Sequence, residues 1–258
     1  MKENNVLNYI GEVLKNMPDG WLNLTTHRLD IYDEQLAKVQ FLEHFEHLFN
    51  DLNSETSALN ALPTAFDYIR LGHPLSCVLE WVIARLNSLD PNNIISFSSK
   101  TIPVLAILRA NLLEGKDTLI TYSGELPDAL DLHILRNIYG YTFDLKCVNN
   151  VSEIPVFHGS TIFITQQEDL YTLDLTPSID FFITIHPHTG SVLSVNGTHN
   201  ERYISDIQHV RRRESIAMTP ANCLATLQNL NTTSSIEMDR NAFETHKAQV
   251  LETIKSIT

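Results

Sequence analysis

The stretch Ile94-Ile-Ser-Phe97, Ser98-Ser-Lys-Thr101, Ile102 to Glu114 and then Thr118-Leu-Ile-Thr-Tyr122 decides the fold. A short apolar run opens into hydroxyl residues. A helical stripe follows, carrying Ile102, Leu105, Ala106, Leu108, Leu112 and Leu113, and it stops at Gly115 before a second apolar run. That order reads as strand, helix, strand, the crossover unit of a parallel sheet covered by helices. Serine and threonine at the strand-to-helix turn cap free amides, and those amides with the helix dipole form a natural seat for an anion. Outward to the left, Tyr68-Ile-Arg-Leu-Gly-His-Pro74 leads into a helix over 74–86 with Leu75, Val78, Leu79, Val82, Ile83 and Leu86 on one stripe. Asp90-Pro-Asn-Asn93 ends it.

The 258 residues suffice for one large α/β domain or two small ones, with a substantial core. A net charge of −13 argues against a nucleic-acid partner, which needs clustered Lys and Arg. The one basic run, Arg211-Arg-Arg213, lies between Asp206 and Glu214 and reads as a solvated or salt-bridged helix face. Cys77, Cys147 and Cys223 are isolated in apolar contexts and read as reduced core residues. No signal peptide and no membrane-length apolar run are visible, so the expectation is a soluble, cytoplasmic protein with no membrane partner. Dinucleotide fingerprints, phosphate-binding loops and nucleophile elbows are also missing.

Along the chain, helices are expected over 5–17 and 33–52, the second burying Leu36, Val39, Leu42, Phe45 or Phe49, and Leu52. The polar loop 53–63 is the candidate boundary, making 1–60 a helical N-terminal segment and 61–258 an α/β domain. Later elements are a helix over 127–138 and strands over 141–145, 161–165 and 180–185. Ser191 to Val195 followed by Asn196-Gly197 carries the clearest hairpin signal. Helices over 201–212, 220–230 and 236–256 complete the chain.

Tyr68-x-Arg70-x-Gly-His-Pro74, Leu79-Glu80, Ile83-Ala84, Phe97-Ser-Ser99 and Leu112-Leu-x-Gly-Lys-Asp117 resemble the opening of a known cofactor domain. It belongs to the fold type I pyridoxal-phosphate enzymes of cysteine and methionine metabolism, the transsulfuration type. Those enzymes read Tyr-x-Arg-x-x-Asn-Pro-Thr, Leu-Glu, a Ser-Ser-Gly-Met turn and Leu-Leu-x-Gly-Asp at similar spacings. Asp180-Phe-Phe-Ile, Gly190, Asn196-Gly, Ile207, Arg211–Arg213 and Met218-Thr-Pro220 resemble the strand that carries the family's cofactor lysine and the segment after that strand. The resemblance covers roughly residues 60–255, with gaps. It implies an α/β fold with a mostly parallel sheet flanked by helices, and a dimer whose N-terminal segment reaches over the neighbouring subunit. It also implies a phosphate site in which Tyr68 and Arg70 reach across the dimer, with Ser98, Ser99, Lys100 and Thr101 at the turn and Tyr122 in the same set. Guanidinium and phenol groups both donate to phosphate oxygens. Without the resemblance, Arg70 is a surface residue beside a buried Tyr68, and 98–101 is an exposed helix start.

The departures from the family pattern matter as much. Lys100 and Thr101 stand where the family has glycine and an apolar residue. A pyridoxal enzyme needs a Schiff-base lysine and an acidic partner for the pyridinium nitrogen. In the register of the resemblance, His188 takes the lysine's place and Thr165 the aspartate's. The segment between 145 and 161 is short for the pattern, and the family's substrate-gripping C-terminal domain has no counterpart in the chain. The expectation is a degenerate relative that does not form the usual covalent cofactor bond. It would act as a dimeric scaffold or partner subunit, as a homodimer or with a related chain, and bind a small anionic ligand. One alternative is an active lyase or transferase on an amino acid that uses pyridoxal phosphate through Lys100. Another is a cofactor-free or metal-assisted enzyme built on His186 and His188, which would face the same side of a strand and could chelate. Glu43-His44-Phe-Glu46-His47 and His199 are further histidines to weigh as metal ligands against a plain hydrogen-bonded role.

Overall fold

The computed structural model describes residues 2–23, 34–63, 69–166, 170, 172–197 and 201–231. Two helices open the chain, α1 (Lys2–Asn16) and α2 (Glu34–Asn50), followed by the short α3 (Thr56–Asn60) and by α4 (Pro74–Leu86). Then come β1 (Ile94–Phe97), α5 (Ile102–Glu114), β2 (Thr118–Ser123), α6 (Leu132–Asn137), β3 (Asp144–Cys147), β4 (Ser160–Thr165), β5 (Phe181–His186) and β6 (Gly190–Val195). The described part ends with α7 (Glu201–Glu214) and α8 (Pro220–Asn231). The expected helix over 236–256, Tyr68 and His199 lie outside the described residues.

The strands form one six-stranded sheet in the order β1-β6-β5-β4-β2-β3. The pairs β2–β3, β2–β4 and β4–β5 are parallel, while β1–β6 and β5–β6 are antiparallel. Two antiparallel steps restore direction, so β1 runs the same way as β5 and only β6 runs against the rest. The fold is therefore α/β with a mostly parallel sheet flanked by helices. Every residue of β5 and β6 is buried, as expected where helices cover both faces. On one face α4 lies against the sheet, and α1, α2 and α8 pack on α4, in a cluster that includes Val13, Phe45, Leu79, Trp81, Phe163, Phe182 and Leu227. The other meets α5 and α7 through Val104, Ile107, Ile164, Ile183, Tyr203 and Ile207.

Several local expectations need correcting. Leu112 and Leu113, in the last turn of α5, are 53% and 74% exposed, because the helix has run past the sheet edge there. The helix expected over 127–138 shrinks to α6, where Asp131 caps the first turn by accepting from Ile134 N–H at 3.0 Å. The strand expected over 141–145 starts at Asp144, and its partner register is set by β2. Cys147 on that edge strand is exposed, whereas Cys77 and Cys223 are buried. In α2 the inward face is Phe41, Leu42 and Phe45 with Lys38, while Leu52, just past the helix end, is exposed. The hairpin lies at the other end of β6: residues 187–189 turn β5 into β6, and the chain leaves Asn196-Gly197 toward α7. Finally, of the basic run, Arg211 is buried and salt-bridged to Glu80, and Arg213 is exposed.

Candidate functional site

β1, β2, β4 and β5 all end on one edge of the sheet, the side where open α/β sheets bind ligands. The turn 98–101 leaves β1 at that edge. Ser99 Oγ accepts from the N–H groups of Thr101 and Ile102, both at 3.2 Å. Pro103 has no N–H, and Val104 N–H donates to Thr101 O at 3.1 Å. The first turn of α5 is thus satisfied from within the chain, and its amides are not the open seat that the sequence suggested. What the turn leaves over, among the described residues, is the N–H of Ser99 and of Lys100, with the exposed Lys100 ammonium and the Thr101 hydroxyl beside them. Ser98 faces away: its N–H donates to Ile216 O at 3.2 Å, and its hydroxyl is 3.3 Å from the same oxygen.

The turn is held firmly in place. Ser191 Oγ donates to Ser99 O at 2.5 Å. Gly190 packs so tightly underneath that a Cβ there would fall 2.2 Å from Phe97 O, and its φ is +127°. Only glycine accepts both that backbone angle and that approach.

Arg70 is exposed in the turn before α4. Its loop is tied to the same segment that holds Ser98: Ala217 N–H donates to Ile69 O at 2.9 Å, while Ile216 O accepts from Ser98. The C=O and N–H of one trans peptide point to opposite sides. The 216–217 peptide therefore stands between Ile69 and Ser98 like a middle strand, which sets them roughly 10 Å apart, two strand spacings. Tyr122 is placed differently. It pairs with Ile164 and Cys147, packs toward the cluster around α5, and belongs to the fourth strand from β1, roughly 19 Å across the sheet. That distance separates it from the turn.

At the neighbouring strand ends, β2, β4 and β5 present Ser123, Thr165 and His186. Thr165 pairs with Ser123 on one side and Thr184 on the other. Among the described residues, none of these three end positions is a lysine or a carboxylate. His188 is exposed in the 187–189 turn, whereas His186 is buried at the end of β5. The strand stops between them, so the expected placement of the two histidines on one side of a strand does not hold. No group of three or more His, Cys, Asp or Glu side chains suited to a metal occurs among the described residues. His44 and His47 are exposed on α2, and Glu46 between them is engaged by Trp81 Nε1 at 2.7 Å and by Arg85.

A buried polar network under the site escaped the sequence reading. Glu80 Oε1 accepts from Ser96 N–H at 2.8 Å, from Ser96 Oγ at 2.7 Å and from Arg211 Nη1 at 3.2 Å. Its other oxygen lies 2.6 Å from Lys38 Nζ, which also donates to Pro91 O at 2.7 Å. Burial alone would raise the Glu80 carboxyl, but the Lys38 and Arg211 charges and the Ser96 amide bring it below its ordinary value. The legible signal was Glu80 itself, the one charge between Pro74 and Ala84, in a helix otherwise fit only for burial. Nearby, His73 caps α4: its Nδ1 accepts from Ser76 N–H at 3.2 Å, which leaves Nε2 as the donor to Met218 O at 2.7 Å. Burial drives its pKa down to about 4. Burial likewise pushes the Cys77 thiol up to about 12, which leaves it inert.

No protein-family model and no curated protein matches the chain. Solved structures do. The metB protein of Corynebacterium glutamicum is similar at a TM-score of 0.44 and 14% identity, over 67% of this chain and 55% of that one. Cystathionine gamma synthase from Xanthomonas oryzae pv. oryzae, solved with aminoacrylate and cysteine, is similar at a TM-score of 0.45 and 14% identity, over 67% and 54%. This chain therefore spans about half the length of each. No described helix is long and apolar enough to cross a membrane.

Proposed function

We infer that this chain is a pyridoxal-enzyme-like protein that holds a small phosphate-bearing ligand without covalent attachment and works as one subunit of a dimer in the cytoplasm. The observation that carries the reading is the unfilled donor set of the turn. Among the described residues, the Ser99 and Lys100 N–H groups lack acceptors, and the exposed Lys100 adds a charge. By the resemblance, Arg70 and Tyr68 would reach such a turn across the dimer. When bound, pyridoxal phosphate supplies an electron sink through its ring. In this reading the chain's own part is confined to gripping the anionic end, because Ser123, Thr165 and His186, at the described strand ends, are neither a lysine nor an acid.

The test is an absorbance titration of the purified protein with pyridoxal 5′-phosphate, followed by borohydride and dialysis. The expected result is saturable binding, no borohydride-fixed adduct, and loss of the ligand on dialysis. Arg70→Ala should weaken binding far more than Lys15→Ala, a change on the distant α1. Equal effects would place the site elsewhere. A yellow protein that stays yellow on dialysis, with the adduct mapped to Lys100, would replace this reading by that of an active lyase or transferase. His188→Lys with Thr165→Asp should raise retention if the register of the resemblance is right.

A further inference from the structure

We propose that the outer edge of β3 is a pairing surface for a second copy of this chain, the two strands running antiparallel about Leu145. The two edges of the sheet are finished differently. At β1 the chain itself takes the outward groups. Ile94 O accepts from Lys38 Nζ at 3.2 Å, and Ser96 N–H donates to Glu80 Oε1 at 2.8 Å. Ser96 O accepts from Arg211 Nη1 at 2.9 Å, and Ser98 N–H donates to Ile216 O at 3.2 Å. That edge is closed. At β3, Val148 N–H donates to Tyr122 O at 2.9 Å, so the backbone groups of Val148, and with them those of Lys146 and Asp144, turn toward β2. Those of Leu145 and Cys147 therefore point away from the sheet, and no described residue bonds them. An open edge of this kind is a template for another strand. The side chains choose the occupant. Asp144 and Lys146 are exposed and share one face of the strand, while Leu145 turns to the opposite face and packs against the cluster around α5. In an antiparallel pair centred on Leu145, this residue faces its own copy and exchanges two backbone hydrogen bonds with it, as its outward groups require. Asp144 then lies opposite Lys146 of the second copy, and Lys146 opposite Asp144 of that copy, at the close positions where opposite charges attract. Lys146 Nζ donates to Glu153 O at 3.1 Å and keeps donors to spare. The stretch is thus complementary to itself. Its four residues make a small, weak contact. It lies five strand spacings, roughly 24 Å, from β1, so it rests neither on the phosphate-site reading nor on the subunit contact that the resemblance gives to Arg70.

The experiment is sedimentation equilibrium of the full chain from micromolar to millimolar concentration at low salt, with circular dichroism to verify the fold. The wild type should show an association step that added salt weakens. Asp144→Lys and Lys146→Asp each set like charges against one another twice across the twofold axis, and each should weaken that step about tenfold. Both side chains are exposed, so the fold tolerates the change. An equimolar mixture of the two variants should recover the step, because each chain then meets the opposite charge on the other. The double variant, Asp144→Lys with Lys146→Asp, should associate like the wild type. Asp128→Lys, exposed but off the strand, should change nothing. Association that ignores both charges comes from another face and overturns the proposal. A loss that mixing does not recover is merely structural and overturns it as well. So does a wild type with no charge-sensitive step at any concentration, as when another segment of this chain or a different partner occupies the edge. None of these outcomes bears on the phosphate-site reading, which stands or falls by the absorbance titration.

Discussion

His73 occupies a position where the resembled family has asparagine, and it takes over the work of a helix cap with an imidazole. Its buried ring must stay neutral to accept from Ser76 and donate to Met218. The pH consequence comes from its pKa of about 4 against 6.5 in the open chain. Between those values the unfolded state binds the extra proton, so stability falls as pH drops from 6.5 toward 4, by about 3 kcal/mol in all. Glu80 acts further down: its lowered pKa means that its contribution is present above the ordinary carboxylate range and fades as pH falls through the folded value. Urea unfolding at pH 7 and pH 5 should therefore show a clear acid loss in the wild type and a much smaller one in His73→Asn, which keeps a good cap without the proton. An unchanged slope would mean that His73 is not buried neutral. Gly190→Ala tests the other fixed point of the turn. With a Cβ only 2.2 Å from Phe97 O, the variant should lose on the order of 3 kcal/mol by the same assay.

Between elements, the decisive contact is ionic. Glu80 on α4 ties together α2 through Lys38, β1 through Ser96 and α7 through Arg211, and all four residues are buried. Removing the carboxylate strands two cations, so Glu80→Leu should cost roughly 3–5 kcal/mol. Adding Lys38→Met should recover part of that loss, because one stranded cation is then gone. If the double variant is no more stable than the single one in urea, the triad is not coupled. The hairpin shows the same dependence on contacts between elements. Asn196-Gly197 has the composition of a tight turn, yet Asn196 Nδ2 donates to Thr176 O and Ile179 O, both at 2.8 Å. The asparagine is spent on bracing the loop before β5, and the real hairpin turns through Pro187-His-Thr189, with Gly190 beneath β1.

At the scale of the whole molecule, a dimer is the remaining expectation. Arg70 is exposed, as a residue that reaches a neighbouring subunit must be, and closed twofold pairs are the commonest soluble assemblies. Light scattering at micromolar concentration should give twice the 29.3 kDa chain mass, and a monomer would remove the idea. The sequence by itself determined the elements whose stripes are long and consistent. Leu75 to Leu86 could only be a buried helix, and Ile94–Phe97 and Thr118–Tyr122 only strands of a covered sheet, because side-chain period is a local property. It also puts no lysine in Thr184-Ile-His-Pro-His188, whatever the geometry. Only the tertiary structure decided where charge goes inside. Arg211 reads as a surface residue until α7 lays it against Glu80, and Lys38 reads as one until α2 docks on α4. A buried ion is stable only through partners distant in the chain, and local sequence carries no record of them. The same holds for the site: the capped helix start, the two amides left over and the distance from Tyr122 come from strand order and packing, which no single segment encodes.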